Sequence, residues 1–172
     1  MGLLVWLESL PLSVWVHESP SVWAQPTVLT LHTMGMAVLV GASWVLDLRL
    51  LGISRNVPLS AFRWVFRAVM VGLIVNVVTG VLLFVGRATT WGASIPFLIK
   101  MGLVIASAAT LMPLRSYVLD SDPQLPSTDA RGVPSSVDGR EVSGKARLLA
   151  IASILTWAGA ITAGRLLAYL VP

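Results

Sequence analysis

Four long apolar runs, each broken off by a cluster of charge, proline or glycine, dominate the pattern of this chain. Each is about twenty residues long, the length at which a helix crosses the hydrocarbon core of a bilayer. The pattern predicts spans over residues 26–51, 62–86, 95–113 and 148–170. Pro26 suits the first turn of the first span, where a missing N–H is tolerated. Ser94 suits the N-cap of the third, and Pro113 marks its end. Ahead of the spans, "MGLLVWLESLPLSVWV" is apolar but short, is interrupted by Glu8 and Pro11, and lacks the basic start of a signal peptide. With Trp6, Trp15 and Trp23, residues 1–25 read as a segment lying in the membrane interface. The connection over 116–146 is rich in Pro, Ser, Gly and Asp and reads as a solvated loop. The expected fold is all-α: one transmembrane domain over 1–172, an integral membrane four-helix bundle with an N-terminal interfacial helix.

Composition sharpens this picture. Apolar residues make up 56% of the chain and charged residues only 12%, against about a quarter charged in a soluble domain. There is no cysteine, which excludes disulfides, thiolate metal sites, iron–sulfur clusters and covalent haem attachment. The net charge of +4 does not point to nucleic acid, because the basic residues flank the apolar runs instead of forming a stripe among aromatics. They set topology instead. Arg49, Arg55, Arg63 and Arg67 lie around the first loop, and Arg115, Arg131, Arg140, Lys145 and Arg147 around the third. The second loop carries Arg87 alone and the N-terminal segment carries none. The positive-inside rule therefore places loops one and three in the cytoplasm and both termini on the periplasmic side of a bacterial inner membrane. Glu8, His17 and Glu18 then lie on that outer side.

Ionisable groups inside spans are costly and mark candidate sites. His32, Lys100 and Arg165 each fall about 6–9 Å below the outer end of its helix at 1.5 Å rise per residue. The ascending second span brings Asn76, Thr79 and Gly80 to nearly the same depth. Gly72, Asn76 and Gly80 recur at four-residue spacing, as do Gly102 and Ala106, and Ala158 and Thr162. Such stripes let helices approach closely or leave a slot for a flat ligand. Asp47 and Arg49, at the other end of the first span, read as a structural pair or capping set.

Three readings of the His32 level remain open. In the first, His32 is an axial ligand of haem b, with Lys100 and Arg165 near the propionates; a second imidazole ligand can come only from His17. In the second, His32 and Met36, one turn apart, hold copper with His17 or Met101, while Met34 turns away by about 200°. In the third, His32 is a structural histidine bonded to Asn76 or Thr162, Glu18 or Glu8 closes the cluster over Lys100 and Arg165, and the protein is a structural accessory subunit of a larger membrane complex. GxSxG, HExxH, a Walker loop and an intramembrane acidic pair are all missing. No independent catalytic activity is expected, and any redox chemistry would rest on a bound cofactor. The expected partners are the lipid bilayer and a membrane or periplasmic redox protein.

"LHTMGMAVLVGASWVLDLRLLG" resembles the first helix of a family of small bacterial four-helix membrane proteins known only as a domain of unknown function. The residues that carry the resemblance are His32, Gly41 and "DLRLLG" (Asp47 to Gly52), Thr79 and Gly80, "FLIK" (Phe97 to Lys100), and Gly164, Arg165 and Tyr169. More distantly the arrangement is similar to copper-resistance D type membrane proteins, which implies copper handling. It is also similar to small four-helix protoporphyrinogen oxidases, which implies haem b, with His32 and Lys100 in the matching positions.

Overall fold

The computed structural model describes residues 2–53, 59–119 and 144–170, and within them every regular element is helical. Two short helices open the chain, α1 (Gly2–Glu8) and α2 (Pro11–Glu18). They are followed by α3 (Gln25–Leu51), a single 3₁₀ turn (Leu59–Phe62), α4 (Arg63–Val85), a short α5 (Ala88–Gly92), α6 (Ile95–Leu119) and α7 (Gly144–Leu170). Helices α3, α4, α6 and α7 are each long and apolar enough to cross a membrane. The chain is a small multi-pass membrane protein with an all-α, four-helix core.

Local chemistry explains most of the boundaries. Pro26 occupies the first turn of α3, where its fixed φ favours helix and its absent N–H would have had no partner. At the other end Gly52 takes φ 104°. Its N–H donates to Arg49 O at 3.1 Å and the Ile53 N–H to Leu48 O at 3.0 Å, a left-handed cap that a residue with a Cβ would strain. Two boundaries differ from the sequence expectation. Helix α6 continues through Pro113 to Leu119, since one lost backbone bond is tolerated inside an apolar helix. Helix α7 begins at Gly144 and so carries Lys145 and Arg147 on its first turn. Of the expected loop, 116–119 therefore belong to α6 and 144–146 to α7, while 120–143 lie outside the described residues. So do Arg55, Arg131, Arg140 and the side chain of Arg115. Ser94 does not cap α6 with its side chain; its hydroxyl donates back to Trp91 O at 2.9 Å.

Helix α3 is the hub. It packs along α4 on one side and against α7 on the other, and α6 packs mainly on α7. The shared core joins Leu39, Leu46 and Leu50 of α3 to Val65, Phe66 and Val69 of α4, Leu111 of α6, and Trp157 of α7. Gly72 makes the α3–α4 approach. A Cβ there would sit 2.8 Å from Leu39 N and 3.0 Å from Gly35 O, so backbone meets backbone at this crossing. The outward faces stay apolar, with Met34, Ile74, Ile105 and Leu155 all exposed, as a lipid-facing surface requires.

The short helices cap one end of this core. Ser13 Oγ of α2 donates to Val85 O at the end of α4 at 3.0 Å. Glu8 Oε1 accepts from the Thr89 N–H at 2.8 Å and from Thr89 Oγ1 at 2.7 Å, which pins α1 to α5. The Phe97 ring of α6 stacks on Phe84 of α4 at 5.0 Å and on Trp91 of α5 at 6.2 Å. Trp6, Trp15 and Trp23 remain exposed around this end.

Candidate functional site

Just inside the capped end, the buried imidazole of His32 on α3 faces α4. Its Nδ1 lies 2.9 Å from Thr79 Oγ1. The Thr79 hydroxyl has one proton, and it donates that proton to Val75 O at 2.6 Å. With that proton committed, Thr79 Oγ1 is an acceptor for an Nδ1–H, and in that tautomer of His32 the Nε2 lone pair is left for another group. The backbone is held as well: Asn76 Nδ2 donates to His32 O at 2.9 Å. Gly80 completes the seat, since a Cβ there would come within 3.3 Å of His32 Cε1. The ring thus lies close to the α4 backbone at Gly80.

The Gly72–Asn76–Gly80 stripe therefore serves two ends. Gly72 allows the helix crossing, while Asn76 and Gly80 fix the histidine. The other small-residue pairs do not make close contacts of this kind. Gly102 has nothing within 4 Å, and Ala106 and Thr162 are exposed. Close packing between α6 and α7 occurs instead at Gly159, against Leu103, and at Gly164, against Lys100.

Lys100 of α6 runs across the α7 backbone at Gly164, where a Cβ would lie 3.3 Å from its Cε and 3.4 Å from its Nζ. From there its charge acts on His32. Gly164 is a site residue that the sequence reading left out. In the sequence it stands out only within the family resemblance, one residue before Arg165, and not as a site residue.

The structure brings His32, Asn76, Thr79, Gly80 and Lys100 into one neighbourhood and leaves three candidates outside it. Arg165 is exposed, with Cζ 5.9 Å from the ring centroid of Tyr169, which is itself exposed. One helical step of about 100° separates it from Gly164 and carries it off the inner face. Met36 packs against the apolar core. His17 lies over Gly86, where a Cβ would be 3.4 Å from its Cβ, about 9 Å further along the α4 axis than Gly80. It lines a polar cavity of about 330 Å³ together with Glu8, Ser13, Glu18, Arg87 and Thr89.

Glu8 and Glu18 accordingly belong to the cap and not to the Lys100 level. The Thr89 backbone N–H, then the Thr89 hydroxyl, hold the Glu8 carboxyl below its ordinary range, with His17 adding to the effect. Among the described residues, no group of three or more His, Cys, Asp or Glu side chains is placed to hold a metal ion. One histidine, oriented through its second nitrogen by a hydroxyl and flanked by a lysine, is what the bundle offers. No protein-family model matches the chain, and neither does any curated protein or solved structure.

Proposed function

We propose that this multi-pass membrane protein binds haem b, or a redox cofactor of the same amphiphilic kind, at His32 and serves as a membrane redox or anchoring subunit. The observation that carries the reading is the hydrogen bond between His32 Nδ1 and Thr79 Oγ1. Histidines that ligate metals are oriented by donating the other ring N–H in this way, which fixes the tautomer and raises the basicity of the ligating nitrogen. Lys100, held in the Gly164 slot, would supply positive charge for one acidic group of the cofactor. A bound haem would contribute one-electron chemistry. The fit is partial: Arg165 and His17 do not face this site, so the reading rests on a single protein imidazole and a single cation. The copper reading is weaker, because Met36 is committed to the core.

The charge distribution of the sequence supports an orientation with the α1–α2 cap outside an inner membrane and the Arg-rich end in the cytoplasm. In that orientation the His32 site lies near the periplasmic face, within reach of a redox partner on that side.

The test is the absorption spectrum of protein purified from haem-replete cells. The expected result is a Soret band that is lost in His32→Ala and weakened in Thr79→Val. A colourless preparation with haem available overturns the reading. Stoichiometric copper lost in Met36→Ala would replace it with the second reading. A preparation with neither metal nor pigment that always co-purifies with a protein partner would replace it with an accessory-subunit role.

A further inference from the structure

At the opposite end of the core, far from His32, Asp47 of α3 is fully buried at 0% exposure. Neither of its carboxyl oxygens has a hydrogen-bond partner. Four serines of the described residues are buried, and three of them are satisfied locally. Ser13 donates to Val85 O, Ser43 to Leu39 O and Ser107 to Leu103 O. Ser153 of α7 is the exception: it is 0% exposed and its hydroxyl has no partner. This hydroxyl acts on the Asp47 carboxyl, although the two do not close a hydrogen bond. Two adjoining helices therefore aim an unsatisfied carboxyl and an unsatisfied hydroxyl at each other inside the bundle.

An ionised carboxylate left alone in such a place would cost several kcal/mol. The charged groups nearby in sequence are Arg49 on the same helix, Arg63 and Arg67 at the start of α4, and Lys145 and Arg147 at the start of α7. Among the described residues none of them bonds either Asp47 oxygen. Arg49, two residues away on the same helix, donates no hydrogen bond to the Asp47 carboxyl. Ionisable groups inside spans commonly mark ion pathways and proton relays.

We propose that Asp47 and Ser153 form an intramembrane binding site for a single positive charge, taken up as a proton or as an alkali-metal ion. The carboxyl supplies the compensating charge, and the Ser153 oxygen supplies a second ligand or the acceptor for a carboxylic O–H. The site is independent of the His32 reading and survives its failure.

A cation that binds only the folded state raises the melting temperature in proportion to the logarithm of its concentration once the site saturates. Purified full-length protein in detergent is melted across pH at fixed salt, and across Na⁺ and K⁺ with choline as the replacement ion. The expected result is a wild-type melting temperature that rises with one of these cations and a dependence that flattens in Asp47→Asn. Dependence on pH alone assigns a proton; dependence on alkali ion at fixed pH assigns a metal ion. Any pH response from Glu8, His17 or His32 is common to both proteins and cancels in the difference. Ser153→Ala, which removes one ligand and little volume, shifts the midpoint by about tenfold in cation concentration. It carries the test if Asp47→Asn does not fold. Identical dependence of wild type and Asp47→Asn on both pH and alkali ions, or an unmoved midpoint in Ser153→Ala, overturns the proposal.

Discussion

The α3–α4 crossing at Gly72 is the tightest point of the bundle, so Gly72→Ala is its most telling perturbation. The new methyl would lie 2.8 Å from Leu39 N and 3.0 Å from both Gly35 O and Leu39 Cα. All three are backbone atoms, so no rotamer change can make room. Ordinary contact begins near 3.4 Å, so the helices must separate by about 0.6 Å over the whole crossing. Overpacking of this kind costs about 1–3 kcal/mol. It outweighs the gain of up to about 1 kcal/mol in helix propensity from replacing glycine by alanine. The net loss of about 1–2 kcal/mol corresponds to a fall of roughly 2–8 °C in melting temperature for a chain of this size. Gly102→Ala is the internal control, because nothing lies within 4 Å of its new methyl and only the propensity gain remains. Thermal unfolding of both variants in one detergent, followed by circular dichroism, gives the comparison. The expected shifts have opposite signs. A Gly72→Ala protein that melts at or above wild type refutes the backbone contact.

Three further outcomes follow from the same geometry. Thr79→Val keeps the shape but leaves the His32 Nδ1–H without an acceptor, which costs about 1–3 kcal/mol; ¹⁵N spectra of the imidazole should lose the single-tautomer pattern, and Thr79→Ser should retain it. Gly80→Leu should displace the His32 ring from α4, whereas Gly80→Ala, with its Cβ 3.3 Å from Cε1, requires a shift of only a few tenths of an ångström; the ¹⁵N shift of Nδ1 reads the difference. The depressed Glu8 carboxyl stabilises the α1–α5 contact above its ordinary value of 4.5, and that contribution is lost as pH falls through the lower folded value. The protection factor of the Thr89 amide, corrected for intrinsic exchange, should fall over that acid range in wild type and stay constant in Glu8→Gln; equal profiles for the two would count against the contact.

Run length, together with proline and glycine placement, was enough to read four helices of spanning length and the shared level of His32 and Thr79. These properties are one-dimensional: a rise of 1.5 Å per residue converts sequence separation directly into depth. His32, Thr79 and Gly80 meet for that reason. Which way each side chain faces was not legible. A helix in a bilayer is apolar all round, since lipid and core are equally hydrophobic, so no amphipathic stripe marks the inner face. Arg165 shares the level of Lys100 yet faces outward beside Tyr169, while its neighbour Gly164 faces inward. Asp47 reads as part of a pair or capping set with Arg49, and only the packing of α3 on α7 brings Ser153 to its carboxyl. Depth belonged to the sequence, because it is counted along one helix. Azimuth and partnership belonged to the tertiary structure, because they depend on how neighbouring helices pack.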